Sequence, residues 1–178
     1  FGLGSDIGAR LSYRHDINDV WRVGLTAERL MRSTPLRALK NGITANGGGG
    51  YVRWRQSERR SWQADLSNGW FSDGNRRQEY TLSGQERLFS SPSLTLDFTP
   101  SIDLGSNSKQ AVPYNNPRNY VAVLPAVTLD HLLYRHYQTE WHQEVKAGVG
   151  RYWQKGESAG VITTLGYGQR VRWNDVLD

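Results

Sequence analysis

Residues 93–105 read SLTLDFTPSIDLG, and they decide the fold. Leu94, Leu96, Phe98, Ile102 and Leu104 share one parity; Thr95, Asp97, Thr99, Ser101 and Asp103 share the other. A helix needs apolar spacings of three and four, so a two-residue period means strand. Similar stretches of about ten residues recur along the chain, each ending in a turn cluster. Long strands with one apolar and one polar face, in an unbroken series, predict an all-β fold: an antiparallel up-and-down transmembrane β-barrel.

Composition agrees. No apolar run approaches the 18 residues of a membrane helix, so a helical membrane protein is excluded. Mean hydropathy is −0.66, which a barrel tolerates because only alternate residues face lipid. The chain has no cysteine, so neither a disulfide framework nor a thiolate metal site is possible. Net charge is +5, which raises nucleic acid as a partner. Arg14, Arg22, Arg59, Arg60, Arg135, Arg170 and Arg172 are scattered in or beside turns, however, and form no single strip. No nucleic-acid partner is expected.

Nine strands are predicted, at about 2–13, 20–30, 44–55, 61–71, 78–89, 93–105, 120–131, 139–153 and 158–172. Connections alternate between short turns and ends that include the long loops 31–43 and 106–119. Short turns belong on the periplasmic side and long loops outside. Trp21, Trp62 and Trp141 then lie near the periplasmic end of the apolar faces, and Trp70 and Tyr80 near the outer end. Those are the two levels of aromatic girdles. An odd strand count predicts an incomplete barrel over residues 1–178, part of a larger one. The opening FGLGSDIGAR lacks a signal-peptide pattern, as expected of a mature protein or an excised piece.

Chemistry-bearing motifs are few. His15, His131, His136 and His142 do not show the i, i+4 spacing of a zincin helix, so no metal site is expected. The glycine run 47–50 lacks the Lys-Ser/Thr of a phosphate loop, and no G-x-S-x-G elbow is present. No cofactor is expected. The polar parity is richer. At middle and outer depth it carries Asp6, Glu28, Asp65, Glu79, Asp97 and Asp103. Toward the periplasmic mouth it carries Arg10, Arg14, Arg22, Arg53, Arg55, Arg87, Arg170 and Arg172. These charges either pair across strands or make a conduit whose field selects what passes. The loop aromatics Tyr114 and Tyr120, near Asn115, Asn116 and Asn119, suit stacking on sugar rings.

PYNNPRNY (113–120), LDHLLYRHY (129–137), GVGRYWQKG (148–156) and TLGYGQRVRWNDVLD (164–178) resemble the barrel part of the poly-N-acetylglucosamine export porins of Gram-negative bacteria. The resemblance is clearest over residues 113–178. It implies an outer-membrane porin without catalysis, exporting partly de-N-acetylated poly-β-1,6-N-acetyl-D-glucosamine for biofilm matrix. It also implies membrane lipid, the exopolysaccharide and a periplasmic deacetylase as partners. A periplasmic helical-repeat domain and closing strands, both absent from residues 1–178, would complete such a protein. Amines on the polymer give inward acids a purpose. Asp65, Asp97 and Asp103 are the leading candidates for contacts, followed by Glu28, Glu79, Tyr114 and Tyr120. Two alternatives fit the sequence as well: an outer-membrane barrel enzyme and a soluble all-β carbohydrate-binding module.

Overall fold

The computed structural model describes residues 7–109, 119–137, 139–154 and 157–173. They form one antiparallel sheet: β1 (Ala9–Asp16), β2 (Trp21–Arg29), β3 (Ala45–Arg55), β4 (Arg60–Phe71), β5 (Arg76–Ser90), β6 (Leu94–Phe98), β7 (Ser101–Asn107), β8 (Tyr120–Leu124), β9 (Ala126–His136), β10 (Thr139–Gln154) and β11 (Glu157–Trp173). A short helix, α1 (Leu36–Lys40), sits in the connection between β2 and β3. Each stave pairs with its sequence neighbour, which is the up-and-down order expected.

Nine runs of alternation thus become eleven strand segments, because two staves are cut by proline. Phe98 faces Val127 and Ser101 faces Leu124, so the register runs unbroken and brings Pro100 opposite Pro125. A proline has no N–H to give a ladder, and its fixed φ interrupts the strand. The Pro100 carbonyl still accepts from Gly84 N at 3.0 Å, which keeps β5 attached across the break. The first and seventh staves also shift from their predicted spans. The turn after β1 begins beyond Asp16, and β9 runs on to His136.

Cross-strand partners share a face, so the register sorts the whole sheet. One face carries Leu25, Leu66, Tyr80, Leu82, Leu104, Val145 and Leu165, all substantially exposed. Among the described residues, only Ala38, Ala45, Phe71 and Ala126 are buried apolar side chains. The apolar matter of this protein therefore lies on the outside of the sheet, which inverts the arrangement of a water-soluble domain. The polar face is inside. Arg10 on β1 and Tyr120 on β8 line one hollow, although their staves would be about 29 Å apart on a flat sheet. The sheet is rolled.

The two faces predict opposite responses to the same substitution. Leu82→Arg, on the apolar face, should cost about 2–4 kcal/mol near the bilayer midplane. Ser83→Arg, one residue along and facing inward, should be close to neutral. Reversible unfolding of the full-length protein from lipid vesicles measures both, and equal costs would refute the face assignment.

Candidate functional site

The inward face holds a hollow of about 720 Å³ whose walls include Glu28, Asp65, Glu79, Asp103 and Tyr120. Five of the seven residues singled out from the sequence therefore converge, from β2, β4, β5, β7 and β8. Register explains how. Asp65 pairs with Thr81 and Thr81 with Asp103, and this row continues through Tyr51 on β3. The next row toward the long loops carries Ser67, Glu79, Gly105 and Tyr120.

The four acids are not equivalent. Glu28 is paired with Arg10 at 3.1 Å, and Glu79 with Arg77. Among the described residues, Asp65 accepts only from the Gln63 amide, at 3.0 Å to each oxygen, and Asp103 only from the Thr81 hydroxyl at 2.8 Å. Neither aspartate has an ion pair among the described residues. They are the two carboxylates in the hollow whose charge is left uncompensated by a direct partner, so their field reaches into it.

Two sequence placements need correction. Asp97 is not at middle depth: it follows the 91–93 turn closely and is gripped by Arg87 at 2.8 and 3.2 Å, with Gln85 at 2.8 Å. Such a fork-to-carboxylate pair is a structural tie between β5 and β6. Arg10 is not at the short-turn mouth either, since its partner Glu28 stands next to the long connection 30–44. Tyr114 and Asp6 lie outside the described residues.

Tyr51 and Tyr152 were missed. A Cβ at Gly24 would overlap the Tyr51 ring, and one at Gly105 would overlap the Tyr120 ring. Each tyrosine thus lies against the wall over a cross-strand glycine, with a phenol ring beside the hollow. Tyr152 packs on Tyr120 with ring centroids 5.8 Å apart. The parity that Tyr51 shares with Arg53 and Arg55 was a usable signal for its direction. Its glycine partner was not, because that needs the register.

The connection 30–44 folds against the inward side of β3 and β4 at the outer end. Ala38 packs on Ala45 and Phe71, while Met31 covers the inward side of Gly47 and Gly69. Arg32 and Ser33 join the wall of the hollow. At the opposite, short-turn end, Asp130 lies between His142 (2.7 Å) and Arg170 (3.2 Å). Glu140 lies between Arg135 (2.9 Å) and His142 (3.4 Å). Asp130 and Glu140 are thus each shared between an arginine and His142.

The PgaA membrane β-barrel domain family matches residues 1–178. This chain belongs to that family. It is 49% identical over 171 residues to the poly-β-1,6-N-acetyl-D-glucosamine export proteins of Escherichia coli strains K12 and O157:H7. Those matches take in 96% of this chain and 21% of each relative, so it spans about a fifth of their length. A solved bacterial polysaccharide outer membrane secretin superposes with a TM-score of 0.87 at 49% identity, covering 95% of this chain and 58% of that one. The sheet is therefore outer-membrane β-barrel wall, with the apolar face toward lipid and the polar face toward the lumen. The end that carries the long connections is external and the opposite end periplasmic.

Stability separates the structural acid from the free ones. Asp97→Asn leaves the Arg87 guanidinium, 24% exposed, without its counter-charge and should cost about 1–3 kcal/mol. Asp65→Asn and Asp103→Asn should leave the unfolding temperature of the full-length protein unchanged. Thermal unfolding in detergent decides, and equal sensitivity of all three would contradict the division.

Proposed function

We propose that this chain forms the wall of a pore exporting partly de-N-acetylated poly-β-1,6-N-acetyl-D-glucosamine, with Asp65 and Asp103 as its contacts to the polymer's amines. The observation that carries this reading is the pair of aspartates without cationic partners, beside tyrosine rings laid along the wall. A free glucosamine amine is cationic near neutral pH and is drawn to such carboxylates. The apolar faces of pyranose rings pack on Tyr120 and Tyr51. Each contact is weak and the next lies no more than two staves away, which is what conduction requires: attraction enough to enter, and no site deep enough to hold.

Glu28 and Glu79 keep partners and contribute less. A periplasmic deacetylase is the companion this reading calls for, because only de-N-acetylated sugars carry the charge that Asp65 and Asp103 attract. A non-catalytic role is supported by the names of the relatives, which describe export. It is supported too by the location of His142, whose neighbouring carboxylates are shared with Arg135 and Arg170 at the periplasmic end, away from the hollow. Movement of the polymer comes from its synthesis on the inner side.

The double variant Asp65→Asn/Asp103→Asn should secrete the partly de-N-acetylated polymer several-fold less, at unchanged barrel abundance in the outer membrane. Immunoblotting of culture supernatants against cell-bound polymer measures this. Wild-type secretion by the double variant would overturn the assignment.

A further inference from the structure

The lipid-facing side has a polarity of its own, independent of anything that passes through the lumen. On the outward face, Asn46 pairs with Trp70 and Trp70 with Arg76, and Arg29, opposite Ala9, stands one step beyond the Glu28–Gly47 pair, beside Asn46. Arg29, Asn46, Trp70 and Arg76 thus make one row across four strands at the end nearest the long connections. Immediately below, the Gln78 amide donates to Asn68 at 3.1 Å, and below that the face turns apolar with Leu25, Leu66 and Tyr80. Arg151 and Trp153 occupy the corresponding end of β10 on the same face. The three arginines fall on every third stave, about 14 Å apart across the sheet.

None of them has an ion pair among the described residues, and no carboxylate stands on the outward face of these strands at that level. The periplasmic rim differs. There the outward Arg60 is held by Glu86 at 2.7 Å, and the Trp62 indole N–H donates to the same carboxylate at 3.0 Å. One rim neutralises its lipid-facing cation internally; the other leaves three unsatisfied. Guanidinium groups at the edge of an apolar band, flanked by indoles that favour the interface, match the oxygens of phosphate in charge and fork geometry.

We propose that Arg29, Arg76 and Arg151, with Trp70 and Trp153 beside them, seat the phosphorylated headgroups of outer-leaflet lipid. The seat fixes the depth and orientation of the barrel in a bilayer whose two leaflets differ.

The test uses the full-length protein in nanodiscs and bisphosphorylated lipid A as the probe, against the same lipid after enzymatic dephosphorylation. Native mass spectrometry counts the lipid retained. Wild-type protein should retain the phosphorylated form preferentially, with retention falling as salt is raised. The triple variant Arg29→Gln/Arg76→Gln/Arg151→Gln should lose that preference several-fold while keeping the heat-dependent gel mobility of a folded barrel. Arg53→Gln, a lumen-facing cation, should behave as wild type. The proposal is overturned if the triple variant retains the lipid as wild type does, if Arg53→Gln loses it equally, or if dephosphorylation has no effect.

Discussion

Hydrocarbon offers no hydrogen bonds, so every backbone N–H and C=O within it must find a partner in the chain. The rest of this structure follows from that constraint. Ladders running stave to stave satisfy the backbone; a period of two then sends alternate side chains to lipid and to water. What would be a core in a soluble protein becomes the outer surface. The few buried apolar side chains sit chiefly where the 30–44 connection folds against β3 and β4. Even the two prolines obey the rule. They stand opposite one another in adjacent staves, so the interruption is shared at one level and the flanking ladders resume in the same register.

With the backbone satisfied, the inward face is free to carry charge, and the protein uses that freedom in two ways. Some charges tie staves together, as Arg87 with Asp97 or Arg170 with Asp130. Asp65 and Asp103 are instead held by neutral donors, which orient the carboxylates without cancelling them. Tyr51 and Tyr120 lie close to the wall because glycine leaves room beneath each ring. Paired and unpaired carboxylates thus coexist on one surface, with Glu28 and Glu79 held by arginines beside Asp65 and Asp103 in the same hollow. The net positive charge of the chain is compatible with this, since cations such as Arg29, Arg76 and Arg151 lie on the lipid side.

Much of this is legible in the sequence, and the limits are physical. Alternation over 93–105 gives the strand, its faces and the inward direction of Asp97 and Asp103 alike. It does not give depth or partners. Asp97 and Asp103 look equivalent on parity, yet one is clamped by Arg87 and the other is not, because the register sets Asp97 opposite Arg87 and Asp103 opposite Thr81 on β5. Likewise Pro100 and Pro125 sit inside runs whose alternation continues across them, so the period hides the breaks. Tyr51 faced inward by parity alone, but the glycine beneath it belongs to another strand. Pairings across strands are long-range facts, and a pattern local to one strand cannot encode them.

The most direct test of an acidic, conducting lumen is the ion selectivity of the full-length protein in planar bilayers, recorded with and without short glucosamine oligomers. A cation-preferring pore that the oligomers block transiently is expected, with blockade weakened when the sugars are N-acetylated. An anion-preferring pore, or one indifferent to the amine, would contradict it.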